Sequence, residues 1–221
     1  MVPVPDPVYI RDEIARLAEI LSEAGNDSRD AESAEPLRLT DALSDVLDAL
    51  QRRERSQNEH DADAGIMTSE PSLGDLGDHA VSLLSQLSRM ARRMHLEDEA
   101  DALEALMLPL ACCVARAGGE LTQIAPVVNA AAALASRFRE PEEVTGLFRM
   151  TDDVFHGVSP RVSDAPPGSE DARAWRVLII NRAIMATRTH KPAFMEDAFD
   201  TLVEYAFDDA AAFFREGMEQ M

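Results

Sequence analysis

Apolar residues recur along this chain at every third or fourth position, with polar and charged residues between them. That is the period of a helix hiding one face against its neighbours. Ile10, Ile14, Leu17 and Leu21 form the first such stripe, with Asp6 as a cap, Pro7 at the first helical position and Gly25 as a stop. Thr40 is read as the cap of a second helix carrying Leu43, Val46, Leu47 and Leu50. The polar stretch from Asn26 to Pro36 between them reads as a loop, and the two helices are expected to pair.

The pattern stops between about Asn58 and Gly77, where His60, Gly65, Pro71, Gly74 and Gly77 leave little to bury. This divides the chain into an N-terminal helical hairpin (1–57), an acidic flexible linker (58–77) and an all-helical C-terminal domain (78–221). In the last part, Asp78 is expected to cap a helix bearing Val81, Leu84, Leu87, Ala91 and Met94, with Arg89, Arg92 and Arg93 facing outward. The next helix runs from about Glu97 to Gly118-Gly119. Pro109 inside it predicts a kink near Ala105, because proline clashes with the carbonyl four residues earlier.

Further helices follow over Leu121 to Phe138 and from Pro141 through Val144, Leu147, Phe148, Thr151 and Phe155. Gly157 to Gly168 is a long connection that either carries function or floats free of the core. Ser169 then caps a helix with Trp175 and the run Val177-Leu178-Ile179-Ile180, apolar most of the way round and so expected at the centre. Pro192 opens the last stretch, which reads as one long helix or as two joined near Asp208. No alternating strand pattern or hairpin signal accompanies these stripes, so the fold class is all-α: an antiparallel helical bundle or a short α-α superhelix, with no β-sheet.

Helix pairs of similar length recur through the C-terminal part, and small residues at Ala132 to Ala135 followed by Pro141 are similar to the end of a tetratricopeptide-type repeat. The Trp-Leu-Gly-Tyr half of that motif is missing and the spacing drifts, so the resemblance implies helical hairpins and no family function.

Charge narrows the classes of partner. Against 41 acidic residues stand 21 basic ones, a formal net charge of -20, and Lys191 is the single lysine. A phosphate backbone repels such a surface, so nucleic-acid binding is not expected. The acid excess and arginine preference fit a GC-rich, bacterial-like coding bias or adaptation to high salt. No apolar run reaches membrane-spanning length and the start lacks a signal-peptide pattern, so a cytoplasmic protein without membrane association is expected.

Candidate chemistry is sparse. Asp153-Val-Phe-His156 is a lone fragment of the paired Glu-x-x-His pattern that di-metal bundles need, so no metal site or cofactor is expected. Cys112 and Cys113 are adjacent in a helical pattern and read as buried free thiols. No histidine among His60, His79, His95, His156 and His190 is tied by spacing to a nucleophile. Arg89, Arg92 and Arg93 are expected to pair with the protein's own acids, with docking of an acidic partner or an anionic ligand as the alternative.

The aromatic residues carry the sharpest signal: Phe194, Phe199, Tyr205, Phe207, Phe213 and Phe214 crowd the C-terminal end. That exceeds what one buried stripe requires, and Phe194 and Tyr205 fall off the main apolar face, which fits either a core helix buried on two sides or an exposed aromatic patch used for self-association or partner binding. The reading is therefore a non-enzymatic interaction, regulatory or scaffold protein, with Arg89, Arg92, Arg93, Phe194, Tyr205, Phe213 and Phe214 as partner-binding residues and a homodimer formed through the C-terminal aromatic helix. The alternative is a small-ligand sensor or enzyme with a pocket near Pro109, Cys112 and Trp175.

Overall fold

The architecture comes from a computed structural model, which describes residues 2–26, 35–59 and 71–219. Helix α1 (Pro7–Asn26) begins as its sequence dictates: Asp6 Oδ1 accepts from the Val8 amide at 2.8 Å, and Ile10, Ile14, Leu17 and Leu21 are buried. Helix α2 (Glu35–Glu59) starts with Pro36 in its first turn, ahead of the cap expected at Thr40. The Arg11–Asp48 ion pair ties α1 to α2. The expected linker lies largely outside the described residues.

Helix α3 (Leu73–Arg93) corrects the reading of its start. Ser72, not Asp78, is the cap: its hydroxyl accepts from the Asp75 amide at 3.0 Å, and the Asp75 carboxylate accepts from the Ser72 amide at 3.0 Å. Gly74 and Gly77 therefore lie inside a helix. A Cβ at Gly74 would collide with the Glu120 carbonyl, and one at Gly77 would come within 2.8 Å of the Val114 methyls. Gly74 lets α3 approach the Glu120 backbone and Gly77 leaves room for the Val114 side chain; neither loosens the chain. His79 sits within α3 as well.

Asp78 does cap, but elsewhere. Its Oδ1 accepts from the amides of Thr122 at 3.1 Å and Gln123 at 2.9 Å, just ahead of α6 (Ile124–Arg137). Between α3 and α6, the expected kink is a full break: α4 (Glu97–Ala105) stops, Leu106 turns, and α5 (Met107–Arg116) begins. Pro109 then occupies the first turn of α5, where its missing amide hydrogen forfeits no helical bond. Gly118, at φ +80°, turns the chain away after α5.

Leu121 was expected to open α6 but forms a single parallel bridge with Val158 instead. Its amide donates to the Gly157 carbonyl at 2.8 Å, and its carbonyl accepts from Ser159 at 2.9 Å. That bridge follows α7 (Pro141–His156) and leads into the short α8 (Pro160–Ser163), whose Val162 is fully buried. The connection after Gly157 is thus fastened to the core. No strand occurs among the described residues.

Ser169 caps α9 (Glu170–Thr189), accepting from the Ala172 amide at 3.1 Å. Helix α9 packs against α6, α7, α8 and α10 (Pro192–Tyr205), but Val177 and Ile184 of its apolar run stay exposed, so it is buried on one broad face and not all round. The chain then breaks at Ala206 and ends in α11 (Phe207–Glu219), so the last stretch is two helices. One apolar core runs through α1–α11, with side chains from the N-terminal pair and the later helices in the same cluster. The protein is an all-α helical bundle.

Candidate interaction surface

The C-terminal surface is positioned by a charge buried in the core. Arg182 interrupts the apolar run of α9, and its side chain is 1% exposed. Such a charge persists inside a protein only when paired and fully hydrogen-bonded. Its Nε donates to Asp152 Oδ1 at 2.7 Å and its Nη1 to Thr201 Oγ1 at 3.1 Å, and an ion pair to Asp197 completes the set. The guanidinium also lies 4.8 Å from the Phe155 ring centre and 5.5 Å from that of Phe148. Through this one side chain, α10 is fixed to both α7 and α9.

Aromatic contacts extend the same joint. Phe194 stacks on Phe148 with ring centres 4.6 Å apart, and Trp175 stacks on Phe155 at 5.0 Å and meets Tyr205 edge-on at 5.9 Å. Phe199, Phe213 and Phe214 make a three-ring cluster between α10 and α11, with centres 5.2 to 5.8 Å apart. The Arg176–Asp209 ion pair ties α11 back to α9. Of the aromatic residues expected to bind a partner, Phe194, Phe213 and Phe214 are half-buried in these contacts, and Tyr205 is exposed. The negative charge of Glu204 holds the Tyr205 phenol above its ordinary range.

The two most exposed apolar side chains lie outside the set expected to bind a partner, although Phe207 belongs to the aromatic crowd seen in the sequence. Phe207 is 72% exposed and Met218 is 70% exposed, both on α11, and Val203 of α10 is also exposed. Meanwhile Ala206, Ala210 and Phe213 pack inward. Helix α11 therefore has a filled inner face and a second apolar face in solvent. The signal in the sequence was the excess of rings itself; which rings turn outward depends on the break at Ala206.

The arginine group divides in the structure. Arg92 binds Glu97 at 2.7 Å and both Asp101 and Glu104 at 3.0 Å. Among the described residues, Arg89 and Arg93 have no carboxylate partner. All three line an open groove of about 430 Å³ with Glu35, Leu39, Gln86 and Met90.

The residues of the alternative pocket are held apart. Pro109 and Cys112 are on α5 and Trp175 is on α9, with α6 and α7 packing against both helices. The Cys112 thiol is buried, donates to Asp153 Oδ2 at 3.4 Å, and is pushed far above its ordinary value, chiefly by burial. A thiol so held is a poor nucleophile. Asp153 is also paired with Arg116 at 2.8 Å, while His156 Nδ1 lies 2.8 Å from the Asp152 carbonyl. Cys113 lines a cleft of about 20 Å³, room for about one water.

Among the described residues, no three His, Cys, Asp or Glu side chains group as metal ligands, and no helix is long and apolar enough to cross a membrane. His60 lies outside the described residues. No known protein family, curated protein or solved structure matches this chain.

Proposed function

We propose that this chain is a non-enzymatic interaction protein that binds another protein through the outer face of α10 and α11. The observation that carries the reading is the exposure of Phe207 and Met218 on a helix whose inner face is already filled. Large apolar side chains grouped in water favour coverage by a partner. The Arg182 joint fixes α10, and α11 packs on α10, so the base beneath this face is ordered before a partner arrives. The net charge of -20 favours a protein surface over a nucleic acid.

A photo-crosslinking side chain at position 207, with one at Arg139 on the surface of the bundle as control, tests the reading in cells producing the full chain. A discrete cross-linked protein product at 207 and none at 139 is expected. No product at 207 overturns it.

A second contact is supported by Arg89 and Arg93, two cations lacking an acidic partner among the described residues at the rim of a groove that includes Leu39 and Met90. In a chain so rich in acid, such a site suits an acidic protein segment. Reversing both charges should weaken capture of an acidic peptide by the protein and remove its salt dependence; unchanged capture would discard the site.

A further inference from the structure

The exposed face of α11 has the spacing of a helix-pairing seam. Phe207, Ala211, Phe214 and Met218 follow one another at intervals of four, three and four residues. At about 100° per residue they fall within about 60° of each other around the helix. Phe207, Ala211 and Met218 are exposed, and Phe214 is half-buried, touching Phe199 with ring centres 5.2 Å apart. We infer that this stripe pairs with the same stripe of a second copy of the chain, antiparallel, about a two-fold axis between Ala212 and Phe213. The inference rests on the reading of α11 as a binding face and names its occupant.

Size matching selects the antiparallel arrangement. Around that axis Phe207 meets the partner subunit's Met218, and the small Ala211 meets the partner subunit's Phe214, so each layer combines side chains that fill it. A parallel pairing would set Ala211 against its own copy and leave a gap, which close-packed interfaces avoid.

Charge selects the same arrangement. Asp208 and Arg215 flank the stripe on one side, seven residues apart. Neither has a hydrogen-bonded charge partner in its own chain among the described residues. The antiparallel register brings Asp208 beside the partner subunit's Arg215, and the two-fold axis makes the contact twice. An anionic lipid surface has no cation to set against the acids of α11, whereas a second copy places its Arg215 beside Asp208.

Four stripe residues from each copy make a contact below the about 1,200 Å² of stable interfaces, so the dimer is weak, with a dissociation constant in roughly the micromolar range. Sedimentation of the full chain from about 1 µM to 1 mM, a span chosen around that range, should show the mass rise from 24.2 kDa toward twice that value. Phe207→Ser and Met218→Ser should each weaken association about tenfold with unchanged circular dichroism, since both side chains stand in solvent.

Asp208→Arg alone and Arg215→Asp alone should weaken it as well, and the double reversal should restore it, because only the antiparallel register exchanges the two charges. A chain that stays monomeric throughout overturns the inference. If that monomer still yields a cross-link from position 207 to a different protein, the binding-face reading stands and the self-pairing falls. Dimers weakened by both single reversals and not restored by the double one overturn the antiparallel register.

Discussion

Arg182 Nε donates to Asp152 Oδ1 at 2.7 Å, joining the centre of α9 to α7 through a guanidinium that is 1% exposed. The three acceptors around it are unequal. Asp152 is 32% exposed and Asp197 is 66% exposed, so removing the arginine strands a half-buried carboxylate in one case and a solvated one in the other. Arg182→Ala should destabilise the fold by about 3 kcal/mol, and Asp197→Asn by less than about 1 kcal/mol. Asp152→Asn should fall between them. Urea unfolding monitored by circular dichroism gives the order; equal costs for Arg182→Ala and Asp197→Asn would refute the hub.

Two helical glycines should respond oppositely to the same change. Gly74 faces the Glu120 carbonyl with no room for a methyl group, whereas Gly146 in α7 has nothing within 4 Å of where its Cβ would be. Gly74→Ala should cost about 1–3 kcal/mol as the two backbones are forced apart. Gly146→Ala should stabilise by about 0.5–1 kcal/mol through helix propensity and a less flexible unfolded chain. Thermal melts of the two variants against wild type decide it, and a stabilised Gly74→Ala would show that the contact with Glu120 is not tight.

The same glycines mark where the sequence was legible and where it was not. Helix stripes such as Ile10-Ile14-Leu17-Leu21 were readable because burial against neighbours is written into local spacing. The start of α3 was misread because Gly74 and Gly77 resemble loop residues until the chain they approach, Glu120 and Val114, is known. Asp78 was recognised as a capping residue, yet it serves amides more than forty positions away. The candidate surface followed the same rule. An excess of rings after Phe194 was visible, but the outward turn of Phe207 depends on the break at Ala206, and the acids that neutralise Arg182 come from two other helices.

The Cys112 thiol should be inert in the native protein. Burial raises its pKa above the ordinary value of 9.0, the Asp153 charge adds to that, and Arg116 opposes it only in part. Iodoacetamide at pH 8 should leave Cys112 unmodified until the chain is unfolded, as mass spectrometry of peptides would report. The folded state holds this proton more tightly than the unfolded state. Its contribution to stability is thus complete below about pH 9 and is lost as pH rises toward the folded value. Wild type should lose stability above pH 9 faster than Cys112→Ala; parallel curves would mean the thiol is not shielded.

Helix α11 should open before the rest of the bundle. Its packing is concentrated on α10, through Phe199 with Phe213 and Phe214, with the Arg176–Asp209 pair as its tie to α9. Arg176 is 58% exposed, so that pair is mostly solvated and weak. By contrast, α9 packs against four helices and holds the buried Arg182. Segments with few buried contacts exchange their amide hydrogens through local opening, while central helices exchange only by global unfolding. Hydrogen exchange followed by mass spectrometry should therefore show residues 207–219 exchanging well before residues 174–186. Phe199→Ala should speed the first group and leave the second unchanged, because it removes the ring between α10 and α11 without touching the Arg182 joint. Equal acceleration of both segments would mean that α11 is an integral part of the core, and the fixed base assigned to its outer face would have to include α11 itself.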